Sequence, residues 1–333
     1  MGSNRIKIFL THPPTAREFW YGKRALAALR EVGEVILNPT DRVLSTDELA
    51  AAARGCSLVV IDRQTEGPAA LFPQMPNLVA LIRGAVDIRN IDVAAASAAG
   101  VLVTQASRGF MAAVSEWIVG AMIDAARGLT DYTQSYRAGT VPTPVKGSQI
   151  HGATVGIIGY GAITRHLVPI LAAMGARVLV HDPYVAPAAP AESASFAAVL
   201  ERSDYVVPLA VATAETENMI NTAALARMKP SAWLINASRG NLIDEAALEQ
   251  ALEGRTIAGA ALDVGRAPDQ MPSPRLARRK DVISSPHIAG LTPSSIEHQA
   301  LETTRQAATL AAGGVPPGAV NADKATRLVW LKP

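Results

Sequence analysis

A single cysteine, Cys56, stands in 333 residues. No disulfide can form within the chain, which fits a reducing compartment. Cys56 borders an apolar run and reads as a small buried residue rather than a reactive thiol. Aromatic residues are few, at 5%. No apolar stretch reaches the roughly 20 residues needed to cross a membrane. Residues 1–5 are polar and lead straight into an apolar run, without the architecture of a signal peptide. No charge run stands out either: 31 Lys and Arg face 29 Asp and Glu. Such balance leaves no electrostatic footprint for nucleic acid. The expectation is a cytoplasmic protein with no nucleic-acid partner, no membrane and no metal.

What is abundant is apolar residues, at 49%, enough for a substantial core in two domains. Short apolar runs at 6–10, 57–61, 78–82 and 101–104 form one series. A second series lies at 154–159, 177–181, 205–210, 232–236 and 257–262. Amphipathic segments such as 16–32, 91–99, 163–174 and 245–253 lie between them. This rhythm is that of parallel sheets flanked by helices. No repeat at fixed period points to a solenoid. A helical segment, 109–127, and a polar stretch, 132–152, separate the two series. A last helical segment, 292–312, follows the second. The tail, 314–333, is expected to return to the first domain. The predicted fold is α/β: two Rossmann-like domains, one flavodoxin-like and one dinucleotide-binding, with parallel sheets joined by interdomain helices. Residues 1–105 with 293–333 are expected to form one domain, and 106–292 the other.

The second series opens on an apolar strand running into Gly159-Tyr160-Gly161-Ala162-Ile163-Thr164. Gly159 permits a tight turn. Gly161 lets the backbone approach a pyrophosphate at a helix N-terminus, where free N–H groups favour anions. With Ala162 and Ile163 they are the expected phosphate-side contacts. Thr164 replaces the third glycine of the pattern and predicts a slightly displaced helix, and Pro169 predicts a bend. Asp182 ends the next strand, where an acidic residue meets the adenosine ribose hydroxyls. Its charge repels a 2′-phosphate, and no Arg follows. NAD is therefore expected rather than NADP.

Further ordered blocks follow: Met228-Lys229-Pro230, Ile235-Asn236-Ala237-Ser238-Arg239-Gly240, Asp244-Glu245-Ala246-Ala247-Leu248, Ala260-Ala261-Leu262-Asp263-Val264 and Ser285-Pro286-His287-Ile288-Ala289-Gly290. Together with the glycine motif they resemble the D-isomer-specific 2-hydroxyacid dehydrogenase family. The resemblance covers most of the chain and is strongest from Gly152 to Thr292. It implies hydride exchange between NAD and a 2-hydroxy acid. His287 takes the hydroxyl proton, since imidazole titrates near neutrality. Arg239 offers a bidentate fork to the substrate carboxylate. Ala237, Ser238 and Asp263 face the cofactor, with Asp263 resembling the residue that contacts the nicotinamide carboxamide.

The chain departs from the family at several positions. A glutamate that holds the catalytic histidine is expected at 267 or 268, where Ala267 and Pro268 stand. Either Asp269 takes that task or His287 works unpaired. In the carboxylate-binding loop, Asp87 replaces a glycine and Arg89 an aspartate. Val86 and Asp87 are the expected backbone donors, with Arg83 as side-chain anchor. Asp87 can be neutralised by Arg89 or by Arg83. Phe110 falls where the family has an asparagine, and with Trp20, Tyr21 and Trp117 is a candidate wall for a larger or aromatic substrate. Core packing is the competing reading for each. The family resemblance also implies a homodimer, with the helix from Gly109, including Trp117 and Ile118, in its interface. Two alternatives stand beside the dehydrogenase: an NAD-dependent enzyme on a different substrate class, and a catalytically weak NAD(H)-sensing binding protein.

Overall fold

The computed structural model describes residues 5–107 and 109–331. Arg108, in the segment before the long helix, lies outside the described residues. The chain forms two compact units, Met1–Gly109 with Pro293–Pro333, and Phe110–Thr292.

Unit 1 holds a five-stranded parallel sheet of β1 (Lys7–Leu10), β2 (Glu34–Leu37), β3 (Leu58–Ile61), β4 (Ala80–Arg83) and β5 (Leu102–Thr104). Its order, β2-β1-β3-β4-β5, is the flavodoxin-like one. The central strands are buried along almost their whole length, as strands covered on both faces must be. β2 lies at the sheet edge and is partly exposed; its apolar run, Val35-Ile36-Leu37, was not among the expected strands. The segment 16–32 is two helices, Pro14–Trp20 and Gly22–Val32. Gly22 sits at φ +80° between them, a conformation that ends helical geometry and suits glycine. Tyr21, expected as a candidate pocket wall, is 2% exposed in the core, with its hydroxyl bonded to Thr303.

The tail packs on unit 1. Asn321 accepts from Val103 N and donates to Val101 O, and Arg327 N donates to Gly100 O. Leu328 and Leu331 cover the core there.

Unit 2 holds a seven-stranded parallel sheet: β6 (Thr154–Ile158), β7 (Arg177–His181), β8 (Glu192–Ser193), β9 (Tyr205–Pro208), β10 (Trp233–Asn236), β11 (Gly259–Leu262) and β12 (Val282–Ser284). The order β8-β7-β6-β9-β10-β11-β12 is the dinucleotide-binding arrangement with one strand added. The edge strands β8 and β12 have two and three residues and were not visible as apolar runs. Helix Met111–Arg127 buries Val114, Ile118 and Met122 in this unit. Ile118 is therefore core and not an interface residue, which corrects the expectation, while Trp117 packs on the same cluster half-buried. Among the described residues no helix is long and apolar enough to cross a membrane.

The strand ends of unit 1 carry a buried polar knot. Asp62, just after β3, accepts from the hydroxyls of Thr11 (3.1 Å) and Thr65 (3.0 Å) and from two main-chain N–H groups. His12, next to Thr11, is 4% exposed, and its Nδ1 has no partner among the described residues. Burial, reinforced by Arg17 and Arg83 and opposed by Asp62, pushes its imidazole down to about 4. The unfolded chain thus binds a proton between about pH 6.5 and pH 4 that the folded chain refuses. Stability must fall as pH drops through that window, by roughly 3 kcal/mol in all. His12→Gln should flatten this loss, read as the change in urea midpoint between pH 7 and pH 5. Equal changes in both proteins would refute the assignment.

Candidate active site

In unit 2 the expected functional residues gather beyond the C-terminal ends of β6, β7, β10, β11 and β12, where open parallel sheets bind ligands. The first group follows β6. Gly159 adopts φ +102°, and a Cβ there would meet Ala210 N at 2.8 Å, so only glycine fits. A Cβ on Gly161 would meet nothing within 4 Å: the space before this glycine is open, as an approaching pyrophosphate requires. Helix Ala162–Ala173 starts immediately after it with no side-chain cap, leaving N–H groups for an anion. Thr164 is fully buried, and its hydroxyl donates to Gly159 O at 2.7 Å, so its polar atom is satisfied in place of the third glycine. The helix continues through Pro169, on its exposed side.

Asp182 follows β7. Its Oδ2 accepts from Tyr160 N (2.7 Å), and its Oδ1 from Tyr184 N (2.9 Å) and Val185 N (3.0 Å). Burial disfavours its charge, but these three N–H bonds and nearby His181 outweigh it and hold the carboxyl below its ordinary range. An ionised carboxylate with a lone pair to spare on Oδ2 fits a ribose hydroxyl donor. The glycine turn, the open helix start and this carboxylate together fit a dinucleotide.

The second group follows β10, β11 and β12. Arg239 and His287 are joined by three consecutive hydrogen bonds. Asn236 Nδ2 donates to Arg239 O (2.9 Å), Asp263 N to Asn236 O (2.9 Å), and His287 N to Asp263 O (2.9 Å). Ala237 is buried; Ser238 is half-buried, with its N–H on Asn236 Oδ1. Gly240 is buried against Gly265, whose carbonyl a Cβ at 240 would overlap. Glycine is therefore required after Arg239 so that the two strand-end loops can close on each other.

Asp263 is 1% exposed. Its carboxylate accepts from Ser285 Oγ (2.6 Å), Ile288 N (2.7 Å) and Ala289 N (2.8 Å). These contacts fix the loop that carries His287. Sequence reasoning missed Asn236 and Ser285 as parts of this scaffold. The available signal was a polar residue closing an apolar strand, since a buried polar group must find partners.

The partner of His287 is different from either expectation. Its Nδ1 lies 2.7 Å from the main-chain carbonyl of Asp269. The carbonyl only accepts, so Nδ1 carries the proton and Nε2 is left for chemistry. The Asp269 carboxylate is exposed and makes no hydrogen bond or ion pair among the described residues. Asp269, Gln270 and His287 all sit at φ +57°, a costly conformation for side-chain-bearing residues that concentrates where function over-determines geometry. Phe110 caps helix Met111–Arg127 without a side-chain bond and rests on Gly290 in the same unit.

Unit 1 contains the remaining expected residues. Arg83 is 4% exposed, and its guanidinium donates to the carbonyls of Asp62, Arg63 (2.9 Å), Thr65 (3.4 Å) and Asp87 (3.0 Å). Burial, opposed by Asp62 and Asp87, pushes it down to about 10. So employed, Arg83 ties the loops after β3 and β4 together instead of reaching outward as an anchor. The Asp87 carboxylate is paired with Arg89 (2.6 Å), one of the two neutralisations anticipated. Val86 lies half-buried in the same loop. Trp20 lies under Arg63, 5.5 Å from guanidinium carbon to ring centroid.

A sheet of this order, with a glycine turn, an open helix start and a carboxylate after the second strand, defines a dinucleotide-binding domain. Comparison with known proteins narrows the class. A model of the D-isomer specific 2-hydroxyacid dehydrogenase, NAD binding domain, matches residues 119–289. The chain is 32% identical to D-3-phosphoglycerate dehydrogenase of Mycobacterium leprae, over 83% of this chain and 53% of that protein. It thus spans about half the length of such relatives. It is 33% identical to (S)-sulfolactate dehydrogenase of Chromohalobacter salexigens, over 75% of this chain and 82% of that protein. Among solved structures, D-lactate dehydrogenase with NAD+ from Lactobacillus jensenii is similar at 27% identity and TM-score 0.81, covering 95% of this chain and 99% of that one. The chain belongs to the D-isomer-specific 2-hydroxyacid dehydrogenase family and carries its NAD-binding domain.

If the carboxylate of Asp263 organises the His287 loop, Asp263→Asn must turn an amide N–H toward a donor. The loss should be about 1–3 kcal/mol, with faster deuterium uptake in peptides spanning 285–290. Unchanged stability and exchange would show that the clamp is dispensable.

Proposed function

We propose that the protein exchanges hydride between NAD and a small 2-hydroxy acid, with His287 as acid/base and Arg239 as the carboxylate and carbonyl anchor. The observation that carries this reading is the three-bond chain joining Arg239 to His287 within the unit that binds NAD. Gly159, Gly161, Ala162 and Ile163 serve the pyrophosphate, Asp182 the ribose, and Ala237 and Ser238 the nicotinamide side. When bound, the nicotinamide supplies or accepts the hydride. The chain's own residues do the rest. In the reducing direction a 2-oxo acid, NADH and a proton become a 2-hydroxy acid and NAD+. The proton comes from His287 Nε2 as the C2 oxygen gains electron density beside Arg239. The Asp269 carbonyl keeps the Nδ1 proton in place, so the doubly protonated ring gives up its Nε2 proton and returns to the Nδ1–H form. An arginine and a histidine held in one scaffold favour catalysis over a sensing role.

The test is purified protein with NADH and a panel of 2-oxo acids, followed by nicotinamide absorbance. Turnover should appear and fall by about 10²–10⁴ in His287→Ala and in Arg239→Ala. Asp269→Asn keeps the main-chain carbonyl and should leave the pH–rate profile in place. Tight NADH binding without turnover across the panel would sink the reading in favour of a binding protein.

We further place the protein in the cytoplasm, where an NAD pool is at hand, as a homodimer. Support for the dimer is the exposed apolar series Leu129, Tyr136, Val141 and Val145, at 52%, 62%, 81% and 76%, along a segment that is otherwise polar. Light scattering should give twice the chain mass, and one chain mass after Leu129→Ser with Tyr136→Ser. A monomeric parent protein would overturn it.

A further inference from the structure

Tyr160 stands between the two glycines of the phosphate turn and touches three other elements. Its N–H donates to Asp182 Oδ2 at 2.7 Å. Its phenolic oxygen accepts from Ala188 N at 3.0 Å. Its ring is 8% exposed and belongs to the core of unit 2. The guanidinium of Arg165, one turn into the following helix, covers that ring at 4.4 Å, at a distance where a cation is attracted to an aromatic face.

The segment held by the phenol is otherwise loose. Between Asp182 and β8 the chain runs without helix or strand, with Tyr184 92% exposed. Among the described residues, the Ala188 bond is the one hydrogen bond tying 186–190 to another element. The same residue therefore holds both ends of the ribose-reading loop: the carboxylate at its start and the main chain beyond it.

We propose that Tyr160 is a positioning residue that sets the choice between NAD and its 2′-phosphorylated form. A carboxylate rejects a 2′-phosphate only if it cannot swing away, and the loop behind it must not open to make room. Tyr160 prevents both motions, one through its backbone and one through its side chain. Arg165 keeps the phenol seated by closing the ring against solvent. This role concerns the cofactor alone and does not depend on the substrate or on turnover.

The experiment is titration of the purified protein with NADH and, separately, NADPH, by nicotinamide fluorescence or calorimetry without substrate. Tyr160→Phe keeps the ring and the N–H bond to Asp182 and removes only the tie to Ala188. NADH should bind about fivefold more weakly, the scale of one lost hydrogen bond. NADPH should change less, so that discrimination narrows. Deuterium uptake at 184–191 should rise in the free protein while the rest of unit 2 is unchanged. A merely structural tyrosine would weaken both nucleotides equally, and that result, or unaltered discrimination in Tyr160→Phe, overturns the proposal. Asp182→Ala serves as the reference for full loss of discrimination. If Tyr160→Phe fails to fold, Arg165→Ala must narrow the ratio in the same direction, and an unchanged ratio there overturns it too.

Discussion

The buried carboxylate of Asp263 is the constraint on which the loops after β10, β11 and β12 depend. A charge removed from water is stable only when its lone pairs are met by donors. Here three donors come from one short segment, Ser285 to Ala289. Satisfying the charge and shaping the histidine loop are thus the same act. The main chain of Asp263 extends the effect, since its N–H and C=O link Asn236 to His287. Arg239 is placed through Asn236. Two residues more than forty positions apart in sequence acquire a fixed relation because one acid between them could not be left unpaired.

The glycines complete this scaffold by permitting approach. Gly240 lets the loop of Arg239 close on Gly265, and Gly159 lets the phosphate turn lie against Ala210. Tyr160 works in the opposite sense, filling the space beside the turn and tying down the loop that follows Asp182. Closeness in one place and anchorage in another leave an ordered rim of strand ends around an open helix start.

Much of this was legible in the residues. The central strands announced themselves as apolar runs because both faces of each sheet are covered. The glycine turn, Asp182, Arg239 and His287 were legible as chemistry at strand ends. The edge strands β8 and β12 were not, since an edge needs few apolar residues and these are two and three residues long. The partner of His287 was hidden for a different reason. Its contact is to the carbonyl of Asp269, and a carbonyl is present at every position, so nothing in residue type points to it. The brace formed by Asp263 was hidden too, because its three donors come from main chain and a serine hydroxyl on a later strand's loop. Ile118 was expected in a dimer interface and is core, because helix Met111–Arg127 turns that side to its own sheet.

Arg83 carries the same lesson into evolution. Its guanidinium donates to four carbonyl oxygens, belonging to residues 62, 63, 65 and 87. A grip on main chain is indifferent to what the side chains become. The loops after β3 and β4 can therefore exchange their outward residues, as Asp87 and Arg89 illustrate, while keeping their course. The arginine buried beneath them thus separates the course of these loops from the residues they present.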